Sequence, residues 1–129
     1  MAEKVRYSDE ELEEFKQLIL ERLQTAREMY QMYLSILNRS QENITEDDGF
    51  VFKGLDQDYV GMSREEAAMM AQRQLEYIRK LEAALVRIKN KTYGICRKTG
   101  KLISKERLRA VPHATLSIEA KQNRHIYGD

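Results

Sequence analysis

The stretch Ser8-Asp9-Glu10-Glu11-Leu12-Glu13-Glu14-Phe15-Lys16-Gln17-Leu18-Ile19 opens with a capping box and runs into an apolar repeat. The Ser8 hydroxyl can accept from a backbone N–H of the first turn, and Glu11 can reach back to the Ser8 N–H. Leu12, Phe15, Ile19, Leu23, Ala26, Tyr30, Tyr33 and Leu37 follow at steps of three and four. This spacing predicts one apolar stripe on a helix of about thirty residues, roughly 45 Å long. Glu13, Glu14, Lys16, Glu21, Arg22 and Arg27 fall on the opposite, solvated face.

The same signal returns at Ser63-Arg64-Glu65-Glu66, a second capping box. Beyond it Ala67, Met70, Gln74, Tyr77, Leu81, Ala84 or Leu85, and Ile88 keep near-heptad spacing. Neither stripe can be left in water over such a length, so the two helices are expected to bury them against each other as an antiparallel coiled-coil hairpin over residues 8–90. Pairing between chains is the alternative. The connector, residues 40–62, holds three of the six glycines, the acidic Glu46-Asp47-Asp48 and the apolar Phe50-Val51-Phe52, and would form the tip. Residues 91–129 read as a small separate module. Tyr93 to Ile103 suggests a short β-hairpin turning at Gly100, Arg107 to Pro112 an extended approach, and Ser117 the cap of a last helix reaching about Ile126. The expected class is therefore mainly α, with a long coiled-coil hairpin and a small mixed module.

Composition narrows the function classes. The 129 residues are 33% charged, with no Trp, one Pro and a mean hydropathy of -0.66, which suits long solvated helices. No apolar run reaches the roughly 18–20 residues of a membrane span and no signal peptide is evident, so a cytoplasmic protein is expected. Cys96, the single cysteine, excludes an intrachain disulfide. The net charge of +1 conceals a split: residues 1–66 carry 16 acidic and 8 basic side chains, residues 67–129 carry 5 and 14. Arg87, Lys89, Lys91, Arg97, Lys98, Lys101, Lys105, Arg107 and Arg109 form a basic run interrupted only by Glu106. Such a run can meet phosphate or an acidic protein surface, or simply be solvated in several directions. Cys96 has no identifiable partner base and no nucleotide-binding loop is present, so no enzyme is expected.

The segment Tyr93-Gly94-Ile95-Cys96-Arg97-Lys98-Thr99-Gly100-Lys101-Leu102-Ile103, continued by Arg107 to Pro112 and Ser117 to Ala120, resembles the zinc-finger module of the DksA/TraR family of bacterial transcription regulators. The two capped helices, the tip and the last helix stand in that family's order. The resemblance implies a four-cysteine ribbon beside a long antiparallel coiled coil. Here the ligand positions fall on Cys96, Thr99, Ser117 and Ala120, so three cysteines are gone and no zinc is expected. Ile95, Leu102, Ile103, Leu108, Val111, Leu116 and Ile118 are the expected replacement minicore, with the Thr99 and Ser117 hydroxyls hydrogen-bonding in place of thiolates.

By resemblance, the partner is RNA polymerase: the coiled coil enters its secondary channel, and acidic tip residues approach its active site and change initiation. The family motif D-x-x-D-x-A falls on Lys53, Asp56 and Asp58, so only Asp56 carries over; Asp47, Asp48 and Asp58 are further candidates by acidity and position. Some members respond to a guanosine tetraphosphate alarmone at the polymerase interface. The expected protein is a monomer without sequence-specific DNA contacts or membrane attachment. Two other readings are direct nucleic-acid binding by the basic module and a structural coiled-coil oligomer. His113 and His125 stand apart in the sequence and suggest structural or solvent roles.

Overall fold

The computed structural model describes residues 5–42 and 61–122. Among these residues four helices follow one another: α1 (Asp9–Glu42), α2 (Arg64–Lys89), α3 (Lys105–Ala110) and α4 (Ile118–Gln122). Both expected capping boxes form. Ser8 N donates to Glu11 Oε1 at 2.8 Å and Glu11 N to Ser8 Oγ at 3.1 Å; the corresponding Ser63–Glu66 pair closes at 3.0 Å in both directions. No helix among the described residues is long and apolar enough to cross a membrane.

The chain divides into a terminal unit (residues 1–22 and 80–129) and a central unit (residues 23–79). In the central unit Met32, Tyr33 and Ile36 of α1 pack with Ala67 and Ala71 of α2. Late α1 thus meets early α2, which is antiparallel pairing within one chain. The stripe drifts as it goes. Tyr30 and Leu37 are only half-buried, while Met32 and Ile36 enter the core. On α2 the buried positions are Ala67, Ala71, Ile78, Leu81, Ala84 and Ile88, so Met70 and Tyr77, expected on the seam, give way to their C-terminal neighbours. Small alanines at the seam let the helices approach.

In the terminal unit Leu12, Phe15 and Ile19 of α1 and Leu81, Ala84 and Ile88 of α2 are buried. Thr92 N donates to Arg87 O at 2.9 Å and Lys91 N to Ile88 O at 3.0 Å, with Lys91 at φ 64. This is a Schellman stop, in which a lysine occupies the left-handed position usually given to glycine. The chain then reverses. The expected β-hairpin shrinks to one antiparallel bridge, Ile95 with Leu102, because Cys96 O accepts from Gly100 N at 2.8 Å and the turn consumes the residues between. The extended approach expected over Arg107 to Pro112 is also replaced. Ser104 Oγ accepts from Arg107 N at 3.1 Å and caps α3, and the chain leaves the helix only at Val111, the residue before Pro112. Ser117 caps α4 as expected, with Ala120 N donating to its Oγ at 3.1 Å. α4 is described to Gln122, so its expected course to Ile126 lies outside the described residues.

Candidate functional site

The module's core forms around aromatic side chains. Tyr7, Phe15 and Tyr93 are buried in series, with ring centroids 5.7 Å and 5.4 Å apart. The Tyr7 hydroxyl donates to Ile103 O, and the Tyr93 hydroxyl to Pro112 O at 2.8 Å. Burial raises the pKa of both phenols, so both keep their protons. Ile103, Leu108 and Leu116 are buried as expected, whereas Ile95, Leu102 and Val111 are half-buried and Ile118 is exposed. Tyr93, Pro112 and Ala114 fill the space instead. Tyr7 was missed by periodicity, yet it precedes the Ser8 cap, where an apolar residue often staples a helix start.

Cys96 is 1% exposed and accepts hydrogen bonds through Sγ from Ser117 N at 3.3 Å and Thr99 N at 3.5 Å. Thr99 Oγ1 accepts from Lys101 N at 3.2 Å. Burial, the largest single influence, pushes the thiol up, but donation by the Thr99 hydroxyl and by the N–H groups of Ser117, Thr99 and Lys98 brings its pKa down to about 6. Around neutral pH the sulfur is therefore largely thiolate, with its charge held by N–H and O–H dipoles. The four ligand-spaced positions offer one sulfur and two hydroxyls, and Ala120 offers no donor at all. No group of three or more His, Cys, Asp or Glu able to hold a metal stands among the described residues. This donor set does not fit a tetrahedral zinc site.

The thiolate sets a pH dependence. The folded pKa lies below the ordinary 9.0, so between about pH 6 and 9 the unfolded chain binds more protons and stability rises with pH. The contribution is complete above 9 and lost as pH falls through about 6. Urea unfolding followed by the tyrosine signal should show that slope, and Cys96→Ala should flatten it.

The residues of the basic run have different surroundings. Lys91 pairs with Asp9 at 2.9 Å and Lys105 with Glu11 at 2.6 Å, so two of them answer the acidic first turn of α1. Arg97 Nε donates to Thr115 Oγ1 at 3.3 Å and Arg107 Nε to Leu116 O at 2.8 Å, fastening the loop before α4. Arg109 and Lys101 are exposed, Lys98 is half-buried, and Lys89 borders an open groove with Leu12, Leu85 and Ile88. Arg87 is half-buried beside Tyr93. His113 is half-buried, and burial first, then the charges of Lys80, Arg87, Arg107 and Lys121, lower its imidazole pKa. Lys80 and Lys121 lie outside the sequence run, and only the meeting of α2, α3 and α4 brings them to His113. Asp47, Asp48, Asp56, Asp58 and His125 lie outside the described residues.

Residues 91–124 match the family model described as the prokaryotic dksA/traR C4-type zinc finger. A solved structure, the transcription factor DksA2 from Pseudomonas aeruginosa, aligns with a TM-score of 0.71 over 91% of this chain and 84% of that one, at 25% identity. Residues 91–124 thus carry the DksA/TraR finger pattern, and the chain is similar to DksA2 in fold. Among curated relatives, general stress protein 16O of Bacillus subtilis is 46% identical over 46 residues. The RNA polymerase-binding transcription factor DksA of Caulobacter vibrioides is 47% identical over 53 residues. These matches span 36% and 41% of this chain but only 28% and 37% of the relatives' own lengths. The C4 description meets a single cysteine here, Cys96, whose sulfur accepts from Ser117 N and Thr99 N.

Proposed function

We propose that this chain binds RNA polymerase and modulates transcription initiation, with the acidic segment between α1 and α2 entering the secondary channel. The observation that supports this most is the likeness to DksA2 along nearly the whole chain, both long helices and the finger included. A relative named for RNA polymerase binding adds to it. In this reading residues 8–90 are the hairpin, 40–62 its tip and 91–129 the finger-like module. Asp47, Asp48, Asp56 and Asp58 are the tip groups, since acidic side chains suit a channel lined with cations. The protein acts by binding, not by catalysis, as a monomer in the cytoplasm where its partner works. The module folds without zinc, its ligand-spaced residues being satisfied by the N–H groups around Cys96, Thr99 and Ser117.

Purified core polymerase should retain the wild-type chain on a pull-down, and the quadruple Asp47→Asn, Asp48→Asn, Asp56→Asn, Asp58→Asn variant should lose binding or its effect on initiation. Salt-sensitive binding to generic DNA without polymerase binding would overturn the proposal. Chelator treatment should leave the melting transition in place; one equivalent of zinc in the purified protein would refute the zinc-free reading.

A second element of this reading concerns the alarmone. The cations Lys80, Arg87, Arg107 and Lys121 act together on His113, and such a concentration of positive charge favours a polyphosphate held at the polymerase interface. Lys80→Ala with Lys121→Ala should abolish any guanosine tetraphosphate response of the polymerase complex while leaving polymerase binding intact.

A further inference from the structure

Five of the six methionines, Met29, Met32, Met62, Met69 and Met70, lie in the central unit. The described part of the terminal unit has none. Met32 is in the buried cluster with Tyr33, Ile36, Ala67 and Ala71, and Met29, Met62 and Met70 pack against it half-buried. Two of the five core members are alanines, so thioether side chains supply much of the apolar bulk. Met69 differs from the rest in being 53% exposed. Arg73, one turn on, places Nη2 3.9 Å from Met69 Sδ and Nη1 4.0 Å from Met70 Sδ.

We propose that Met69, with Met70 and the guanidinium of Arg73, is an oxidative modification site through which peroxides loosen the central unit. The step is a two-electron oxygen transfer. A sulfur lone pair of Met69 attacks one oxygen of hydrogen peroxide, the O–O bond breaks, and the second oxygen leaves as water after proton transfer. The sulfur is oxidised to the sulfoxide and the peroxide is reduced. Susceptibility follows exposure, which puts Met69 first, half-buried Met70 next and Met32 last. The sulfoxide oxygen is a far stronger acceptor than the thioether, and Arg73 already stands beside both sulfurs to donate to it. Oxidised Met70 is thereby held toward the guanidinium and away from the Met32–Tyr33–Ala71 cluster, whose apolar packing a polar S–O group disrupts. The terminal unit, with no methionine in its described core, keeps its packing.

The test uses the full chain, titrated with hydrogen peroxide and followed by peptide mass spectrometry and amide hydrogen exchange. Met69 sulfoxide should accumulate several-fold faster than Met32 sulfoxide. Exchange should rise in residues 23–42 and 64–79, stay unchanged in residues 92–122, and return to its starting level on treatment with methionine sulfoxide reductases. The volume-conserving double variant Met69→Leu, Met70→Leu should fold and show no such rise at the same dose. Equal oxidation of Met69 and Met32, oxidation of Cys96 ahead of Met69, or full sulfoxidation of Met69 and Met70 without faster exchange would each overturn the proposal.

Discussion

Tyr7→Ala is expected to destabilise the terminal unit by about 3–5 kcal/mol, the range for deleting a large buried aromatic side chain. The ring is 4% exposed, lies 5.7 Å from that of Phe15, and rests against the backbone at Gly94. Its hydroxyl also satisfies Ile103 O, 96 residues away in sequence. Tyr7→Phe removes only that hydrogen bond and should cost about 1 kcal/mol. The difference between the two variants separates packing from hydrogen bonding, and denaturant unfolding with a local probe in residues 92–122 measures it. A loss under 1 kcal/mol for Tyr7→Ala would mean that the N-terminal segment is not part of the module's core. Such aromatic packing supplies much of the cohesion among the described residues of the module.

What could be read from the sequence follows from the range of the forces involved. The two long helices were legible because capping boxes and 3.6-residue periodicity are local signals; Ser8–Glu11 and Ser63–Glu66 close as their spacing requires. The seam on α2 was misplaced by one residue at Met70 and Tyr77, since the facing helix decides which neighbour is buried and it favours Ala71 and Ile78. The short helix α3 was hidden by Pro112, whose constraint falls on Val111 alone and leaves Ser104 free to cap. The finger was legible from Tyr93 to Ile103 with Arg107 to Pro112 and Ser117 to Ala120, although only Cys96 of the four ligand-spaced positions is a cysteine. Basic residues were legible as a run, but their individual partners were not. Lys91 and Lys105 are taken up by α1 acids, and the charges of Lys80 and Lys121 act on His113 through tertiary structure.

Gly94→Ala should be nearly as damaging as Tyr7→Ala, and for a reason that couples the two positions. Gly94 has φ +81, and a Cβ built there would stand 2.7 Å from Tyr7 Cδ2 and Cε2 and 3.3 Å from Leu108 Cδ1. The left-handed backbone alone costs a non-glycine residue about 1–2 kcal/mol. The overlap adds to this, because Tyr7 is held by its hydroxyl at Ile103 and by Phe15 and cannot swing aside cheaply. A combined loss of about 3 kcal/mol or more is expected. In the Tyr7→Ala background the overlap disappears, so Gly94→Ala should then cost only its backbone strain of about 1–2 kcal/mol. The double-mutant cycle should therefore show a coupling of at least about 1 kcal/mol, with the double variant more stable than the two single losses add up to. Gly100→Ala is the control: it has φ +74 but nothing within 4 Å of its Cβ position, so it should cost the same in either background. Strict additivity at Gly94 would show that the ring does not rest on this glycine, and the packing account of the module would fail with it.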